Sequence, residues 1–201
     1  MKKLVLYIAF IAISISTFAQ QNESYIDVTG NVEYDKTVEK YIVKTIISQD
    51  LDYDNNCESI EELKSNYFKK LGNANFDTKK LKQDQLAYMT FGYKKEGTLL
   101  ILETKSKDEF MNFLTVNSTG MQIYNRDVVY KLSSKEVTNL AKEAIDNARL
   151  KAENIARSVN KKLGDILTII DHNQHKTKET LYYDSLNDKG VYVTQVRFEL
   201  L

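Results

Sequence analysis

Residues 133–161, SSKEVTNLAKEAIDNARLKAENIARSVNK, carry the strongest periodic pattern in the chain. Ser133 and Glu136 have the spacing of a capping box, which predicts that a helix begins here. Apolar residues then recur every three or four positions and predict one buried stripe along a long alanine-rich helix. Alanines in the middle of the stripe would let the helix lie close against a sheet or another helix. The stripe consists of Val137, Leu140, Ala141, Ala144, Ala148, Ala152, Ile155, Ala156 and Val159.

Segments of alternating or β-branched residues flank this helix and predict strands. Two shorter helices are predicted at 58–71 and 106–114 from the spacing of their apolar residues. We expect 25–34 to form a hairpin with 37–48, and 86–93 to form one with 98–104. Gly30 interrupts the first alternation, which predicts a bulge or a close backbone approach. The predicted strands are 25–34, 37–48, 86–93, 98–104, 121–132, 165–170 and 190–201.

This order of elements predicts an α+β fold, with antiparallel strands and helices packed on the sheet faces. No proline-rich or Gly/Ser-rich linker divides the chain. We therefore expect residues 20–201 to form a single domain made of two closely packed halves.

Composition excludes several classes of protein. The 201 residues include 28 Lys and Arg against 28 Asp and Glu, so the formal net charge is zero. A nucleic-acid partner is not expected, because such proteins carry a basic face. With 42% hydrophobic and 28% charged residues, the chain has an ordinary globular composition rather than a disordered one.

The first nineteen residues have the layout of a cleaved signal peptide. Lys2 and Lys3 precede an apolar run at 4–15, and Ala19 ends a small-residue cleavage site. An uncleaved anchor is the alternative, but a bilayer span needs about 20 apolar residues. The mature chain from Gln20 would be periplasmic or secreted, with 26 basic and 28 acidic residues and no later spanning segment. Cys57 would then be a half-buried apolar side chain or a source of intermolecular disulfides.

The acidic segment 50–61 is a candidate calcium loop. Oxygen-bearing side chains recur at alternate positions, as they do in loops that wrap a hard cation with six to eight oxygens. Asn55 replaces the usual glycine, and the preceding element looks like a strand rather than a helix. The alternative interpretation is a solvated loop whose carboxylates favour the N-terminus of the following helix. The candidate ligands are Asp50, Asp52, Asp54, Glu58 and Glu61.

Other candidate sites are weaker. His172 and His175, beside Asp171, have ligand types that suit zinc, but they lie in a polar loop, where exposed histidines are the simpler interpretation. The sequence contains no G-x-S-x-G, H-E-x-x-H or Walker motif, so no catalytic residue is predicted. A hydrolase with an unrecognised site stays open as the third alternative, after self-assembly and calcium or small-ligand binding.

Three segments together resemble the SIMPL-domain family of secreted bacterial proteins. They are Ile26 to Glu33 (IDVTGNVE), the alanine and lysine helix at 144–156 (AIDNARLKAENIA), and Lys162-Leu163-Gly164 directly after it. The resemblance covers about residues 25–201. The sequence departs from the family by having no proline between its first two strands, where it reads Tyr34-Asp35-Lys36, and by a middle third that has no clear counterpart.

The resemblance implies an α+β fold, export to the periplasm and formation of homo-oligomers. It also implies an association with envelope or oxidative stress, without established catalytic residues or cofactors. The sequence therefore predicts an exported, non-enzymatic protein that acts through self-assembly or envelope interactions. Exposed strands would supply the contacts between copies, because unpaired sheet edges associate readily.

Overall fold

The structure is a computed structural model, and it describes residues 24–53, 59–182 and 188–201. These residues form a mixture of strands and α-helices, which confirms the predicted α+β class. The strands are β1 (Tyr25–Asp35), β2 (Val38–Ser48), β3 (Lys82–Asp84), β4 (Gly97–Thr104), β5 (Met121–Lys131), β6 (Leu163–Asp171), β7 (Lys176–Thr180) and β8 (Lys189–Leu200). The helices are α1 (Ile60–Asn73), α2 (Gln85–Met89), α3 (Lys107–Thr115) and α4 (Ser134–Ser158).

The described residues divide into two compact units. The first unit contains 24–32, Leu140–Asn173 and Tyr192–Leu201. The second contains the described residues of Glu33–Asn139 and Gln174–Val191. The division falls within β1, α4 and β8.

The first unit is a three-stranded sheet with α4 on one face. The strand order is β1-β8-β6, and β6 runs antiparallel to β8. Alanines of α4 pack on Val28, Val196 and Phe198 and are almost fully buried, as the sequence predicted. The buried stripe is narrower than predicted, because it repeats every four residues and leaves Ile155 and Val159 exposed. The buried residues of α4 are Leu140, Ala144, Ala148, Ala152 and Ala156.

Gly30 is the point of closest approach between β1 and α4. A Cβ atom placed on this glycine would lie 1.8 Å from the main-chain oxygen of Ala144 and 2.9 Å from the Cβ of Ala148. The strand and the helix therefore touch backbone to backbone, which only a glycine opposite alanines permits. This confirms the predicted close approach at Gly30.

The second unit is a five-stranded antiparallel sheet in the order β3-β4-β2-β5-β7. Helices α1 and α3 cover one face, where Tyr67 and Phe113 pack edge to face with ring centroids 6.2 Å apart. Helix α2 covers part of the other face, where Tyr88 packs on Ile46 and Leu99.

Three expectations about local structure are wrong. Residues 86–93 are not a strand of a hairpin, because Asp84 accepts a hydrogen bond from the Ala87 amide at 2.8 Å and begins the short helix α2. Strands β1 and β2 do not form a hairpin either, since they belong to different sheets. The polar connection after β6 contains β7, which the sequence did not predict because its lysines and threonines have no apolar alternation.

Candidate functional site

The structure describes part of the predicted calcium loop. Asp50 accepts hydrogen bonds from the main-chain amides of Lys94 and Lys95 at 2.6 and 2.9 Å. These bonds hold the pKa of its carboxyl below the ordinary value, with the Lys95 amide the larger cause. Asp52 is buried and Glu61 lies in the exposed first turn of α1. The Asp50 carboxylate thus connects the segment that follows β2 to the loop that contains Lys94 and Lys95.

The remaining calcium candidates, Asp54 and Glu58, lie outside the described residues, as does Cys57. Within the described part of the chain, no three His, Cys, Asp or Glu side chains are grouped so that they could hold a metal ion. His172 and His175 are both exposed and fall in different units. Calcium binding by the 50–61 loop therefore stays a prediction.

A different feature emerges from the sheet edges, which present unpaired main-chain groups unless they are covered. The two sheets described have four edge strands, β3 and β7 in one and β1 and β6 in the other. In the five-stranded sheet, β3 is only three residues long, and β7 carries Lys176 and Lys178, whose side chains are more than half exposed. Short strands and lysines are both devices that prevent edge-to-edge pairing.

Strand β1 is protected by side chains of α4. The Asn147 carboxamide oxygen accepts a hydrogen bond from the Asn31 amide at 3.1 Å. The Lys151 ammonium group donates to the main-chain oxygen of Thr29 at 2.9 Å. Asn147 and Lys151 lie one helical turn apart, so both reach the same edge. The helix thereby occupies main-chain groups with which another strand would pair.

Strand β6 has no such side-chain protection, although its register with β8 shifts between Leu163 and Ile166 and again between Ile166 and Thr168. Its segment Ile166–Ile170 reads ILTII, with neither charge nor proline, and Leu167, Ile169 and Ile170 are 43%, 48% and 38% exposed. Among the residues that the structure describes, no side chain makes a hydrogen bond to the main chain of this segment. An uncapped, apolar edge of this kind is a template for pairing with another strand. We call Ile166–Ile170 the open edge.

The open edge is held in register at its C-terminal end. Asp171 accepts hydrogen bonds from the Tyr192 hydroxyl and from the Asn173 amide. The Asn173 carboxamide in turn makes two hydrogen bonds to the main chain of Val193 on β8. Its oxygen accepts from the Val193 amide at 3.0 Å, and its nitrogen donates to the Val193 carbonyl at 2.6 Å. Burial, reinforced by the Asp171 carboxylate, raises the pKa of Tyr192 to about 12. These contacts fix β6 against β8 up to Asp171, the last residue of β6.

The solvent-facing side of this sheet is ordered by an ion pair. Arg197 donates two hydrogen bonds to Asp27, both at 2.9 Å, and its guanidinium lies 4.1 Å from the centre of the Tyr25 ring. The bond from Arg197 is the main reason that the pKa of Asp27 lies below its ordinary value. Beside the pair is a shallow depression of about 90 Å³, lined also by Thr168 and Ile170. The face next to the open edge is thus preorganised but encloses no deep cavity.

Sequence reasoning predicted that exposed strands supply contacts but did not identify which strand. The signal was present in ILTII, the one uncharged β-branched run that follows the long helix. What the sequence could not show is that Asn147 and Lys151 cover the opposite edge, because those residues lie far from β1 along the chain.

The fold and this edge define a class of protein, namely an antiparallel α+β protein whose alanine-rich helix lies directly on a three-stranded sheet. The chain belongs to the SIMPL family. A model of that family, described as a protein of unknown function (DUF541), matches residues 26–187. No curated protein matches the chain. The family match confirms the resemblance and includes α4, β6 and all but the first residue of β1, whereas β8, the strand that pairs with β6, lies beyond it.

Proposed function

We propose that this chain is an exported, non-enzymatic SIMPL-domain protein that works in the bacterial envelope by self-assembly. The open edge of β6 is the observation that carries the proposal. Of the four sheet edges in the described residues, it alone combines exposed apolar side chains with a main chain to which no side chain bonds, although its register with β8 shifts between Ile166 and Thr168. The association with envelope or oxidative stress that the family resemblance implies gives such an assembly a physiological setting.

Burying the open edge would stabilise an assembly in two ways. Main-chain amides and carbonyls of β6 would gain partners that water otherwise supplies, and the exposed apolar area of Leu167, Ile169 and Ile170 would leave water. Removing apolar surface from water contributes roughly 25 cal/mol per Å². Part of this gain is offset by the loss of translational and rotational freedom on association.

Light scattering on the mature chain, residues 20–201, tests self-assembly. We expect a mass above that of the monomer at tens of micromolar, and a shift towards monomer on dilution. The variant Ile169→Lys should raise the dissociation constant by about tenfold or more, because it places a charge on the pairing edge. Leu86→Lys is the matched control, since Leu86 is 76% exposed in the other unit. A strict monomer for the unmodified chain would overturn the proposal.

Export is supported by the sequence of residues 1–19, which lie outside the described residues, and SIMPL proteins are typically extracytoplasmic. No helix in the described part of the chain is long and apolar enough to cross a membrane. Intact mass spectrometry of the chain recovered from a bacterial periplasm should give a protein that begins at Gln20. The variant Ala19→Arg should abolish that cleavage, because the site requires a small residue. Recovery of full-length chain from the membrane fraction would contradict export by a cleaved signal.

A further inference from the structure

We propose that the open edge pairs with the same edge of a second copy of this chain, antiparallel and about a two-fold axis at Ile169. Two three-stranded sheets would then join into one six-stranded sheet. The inference rests on the self-assembly proposed above and adds its partner strand, its register and its symmetry.

The choice of partner follows from the state of the other edges. Pairing β6 with β1 of the next copy would create a head-to-tail contact that repeats into rings or filaments. That contact needs the Asn31 amide and the Thr29 carbonyl, which Asn147 and Lys151 already occupy. Pairing with β7 would set Lys176 and Lys178 beside the uncharged segment Ile166–Ile170. The open edge is therefore left with its own copy as the complementary surface.

The register follows from the faces of β6 and the positions of its acids. Thr168 and Ile170 lie opposite Arg197 and Gln195 of β8, and Ile169 lies opposite Val196, so 168 and 170 share one face and 169 points to the other. Centring the pair on Ile169 places Thr168 opposite Ile170 of the second copy, twice. Centring it on Thr168 would pair Ile169 with Leu167, where the register with β8 shifts, so the pairing would leave the regular stretch Thr168–Asp171 after one residue. Centring it on Ile170 would set Asp171 opposite Ile169, next to the two-fold axis, whereas centring it on Ile169 moves Asp171 one position further out, opposite Leu167.

The helix leaves room for this arrangement on its side of the sheet. The cluster that α4 forms with β1 and β8 also contacts Leu163 and Ile166 of β6, whereas Ile169, on the same face as the buried Val196, is still 48% exposed. In the pair, Ile169 would meet its own symmetry mate, with Cβ atoms about 4.5–5.5 Å apart. The most exposed isoleucine of the open edge would thus become the centre of the interface.

Disulfide trapping tests the pairing in the mature chain with Cys57→Ser, so that each introduced cysteine is the sole thiol. Oxidation of Ile169→Cys should give about tenfold more covalent dimer than oxidation of the exposed control Leu86→Cys, because directly opposed residues approach disulfide geometry. Thr168→Cys and Ile170→Cys should each stay uncrosslinked alone and should crosslink when mixed. Circular dichroism verifies that each variant is folded.

The outcomes separate this inference from the proposed function. Crosslinking of Ile169→Cys together with the mixed pair supports the two-fold register. Assembly in light scattering without these crosslinks, or crosslinking of Thr168→Cys with itself, overturns the inference and leaves self-assembly standing. A monomer at all concentrations overturns both.

Discussion

At position 30 of β1, a side chain as small as a methyl group would overlap the main chain of α4. The Cβ of an alanine would lie 1.8 Å from the Ala144 oxygen, and neither backbone can move away without separating the helix from the sheet. We therefore expect Gly30→Ala to lower the free energy of unfolding by about 3 kcal/mol or more.

The matched control for this prediction is Gly72→Ala in α1, where an added Cβ meets no atom within 4 Å. Because alanine favours a helix interior over glycine, this variant should be stabilised by roughly 0.5–1 kcal/mol. Urea unfolding followed by circular dichroism measures both. Equal effects of the two substitutions would contradict the close contact at Gly30.

The raised pKa of Tyr192 predicts that the folded protein loses stability at alkaline pH. Its pKa is raised from 10.0 to about 12, first by burial and then by the neighbouring Asp171 carboxylate. The unfolded chain therefore ionises this tyrosine at a lower pH than the folded chain does. The contribution to stability is fully present below pH 10 and is lost as the pH rises towards 12.

Urea midpoints at a series of pH values between 9 and 12 measure this effect. The variant Tyr192→Phe should start less stable at pH 9, because it lacks the bond to Asp171, and should then fall less steeply than the unmodified chain. Tyr182→Phe, at an 80% exposed position, is the control and should follow the unmodified chain. Parallel curves for all three proteins would contradict the assigned pKa.

At the scale of secondary structure, we predict that assembly stops at the dimer. Side chains of α4 cover the edge of β1, so a third copy has no open strand to pair with. The double variant Asn147→Ala/Lys151→Ala removes both side chains that bond this edge. With a second edge open, each copy could bind two others, so the mass in light scattering should grow continuously with concentration.

The control for this prediction is Lys142→Ala/Asn154→Ala. It changes the same two residue types at exposed positions of α4 and raises the helix propensity by the same amount. Its mass should match that of the unmodified chain. If the Asn147→Ala/Lys151→Ala variant also keeps the unmodified mass, capping of β1 does not limit growth.

The long helix and most strands could be predicted from sequence because their signals are local. The Ser133 and Glu136 capping box forms as expected, with bonds of 3.3 and 2.7 Å in the two directions. Residues 86–93 were misread because LAYMTFGY alternates like a strand, whereas the fold uses Tyr88 as the single buried contact of α2. The Tyr88 hydroxyl forms hydrogen bonds with the Ser48 hydroxyl and the Lys95 carbonyl. A local sequence pattern cannot predict these partners, because the fold brings them to Tyr88.

Pairing between strands was harder to predict than the strands themselves. The sequence predicted that the adjacent strands β1 and β2 form a hairpin. Instead, Gly30 lets β1 pack directly on α4, and β1 belongs to the sheet of β8 and β6. The open edge depends on the same long-range pairing. Its strand was therefore predicted, while its exposure and the capping of the opposite edge were not.

At the scale of the whole molecule, calcium binding is the alternative that differs most from self-assembly. Calorimetric titration of the mature chain should give heat, together with a rise in Tm, if the 50–61 loop binds calcium in the millimolar range. Asp50→Asn should then weaken both signals. Because Asp50 also bonds the Lys94 and Lys95 amides, its effect on Tm without calcium must be measured first. Absence of heat and of a thermal shift rules the calcium loop out.

Hydrogen exchange of the mature chain at two concentrations tests the central claim that Ile166–Ile170 is the surface through which copies associate. At a concentration where light scattering detects assembly, peptides covering β6 should exchange about tenfold more slowly than in the dilute monomer, because their free amides gain partners. Peptides covering β3 and β7 should exchange equally at both concentrations. Unchanged exchange in β6 while the protein assembles, or protection confined to another strand, would contradict the account.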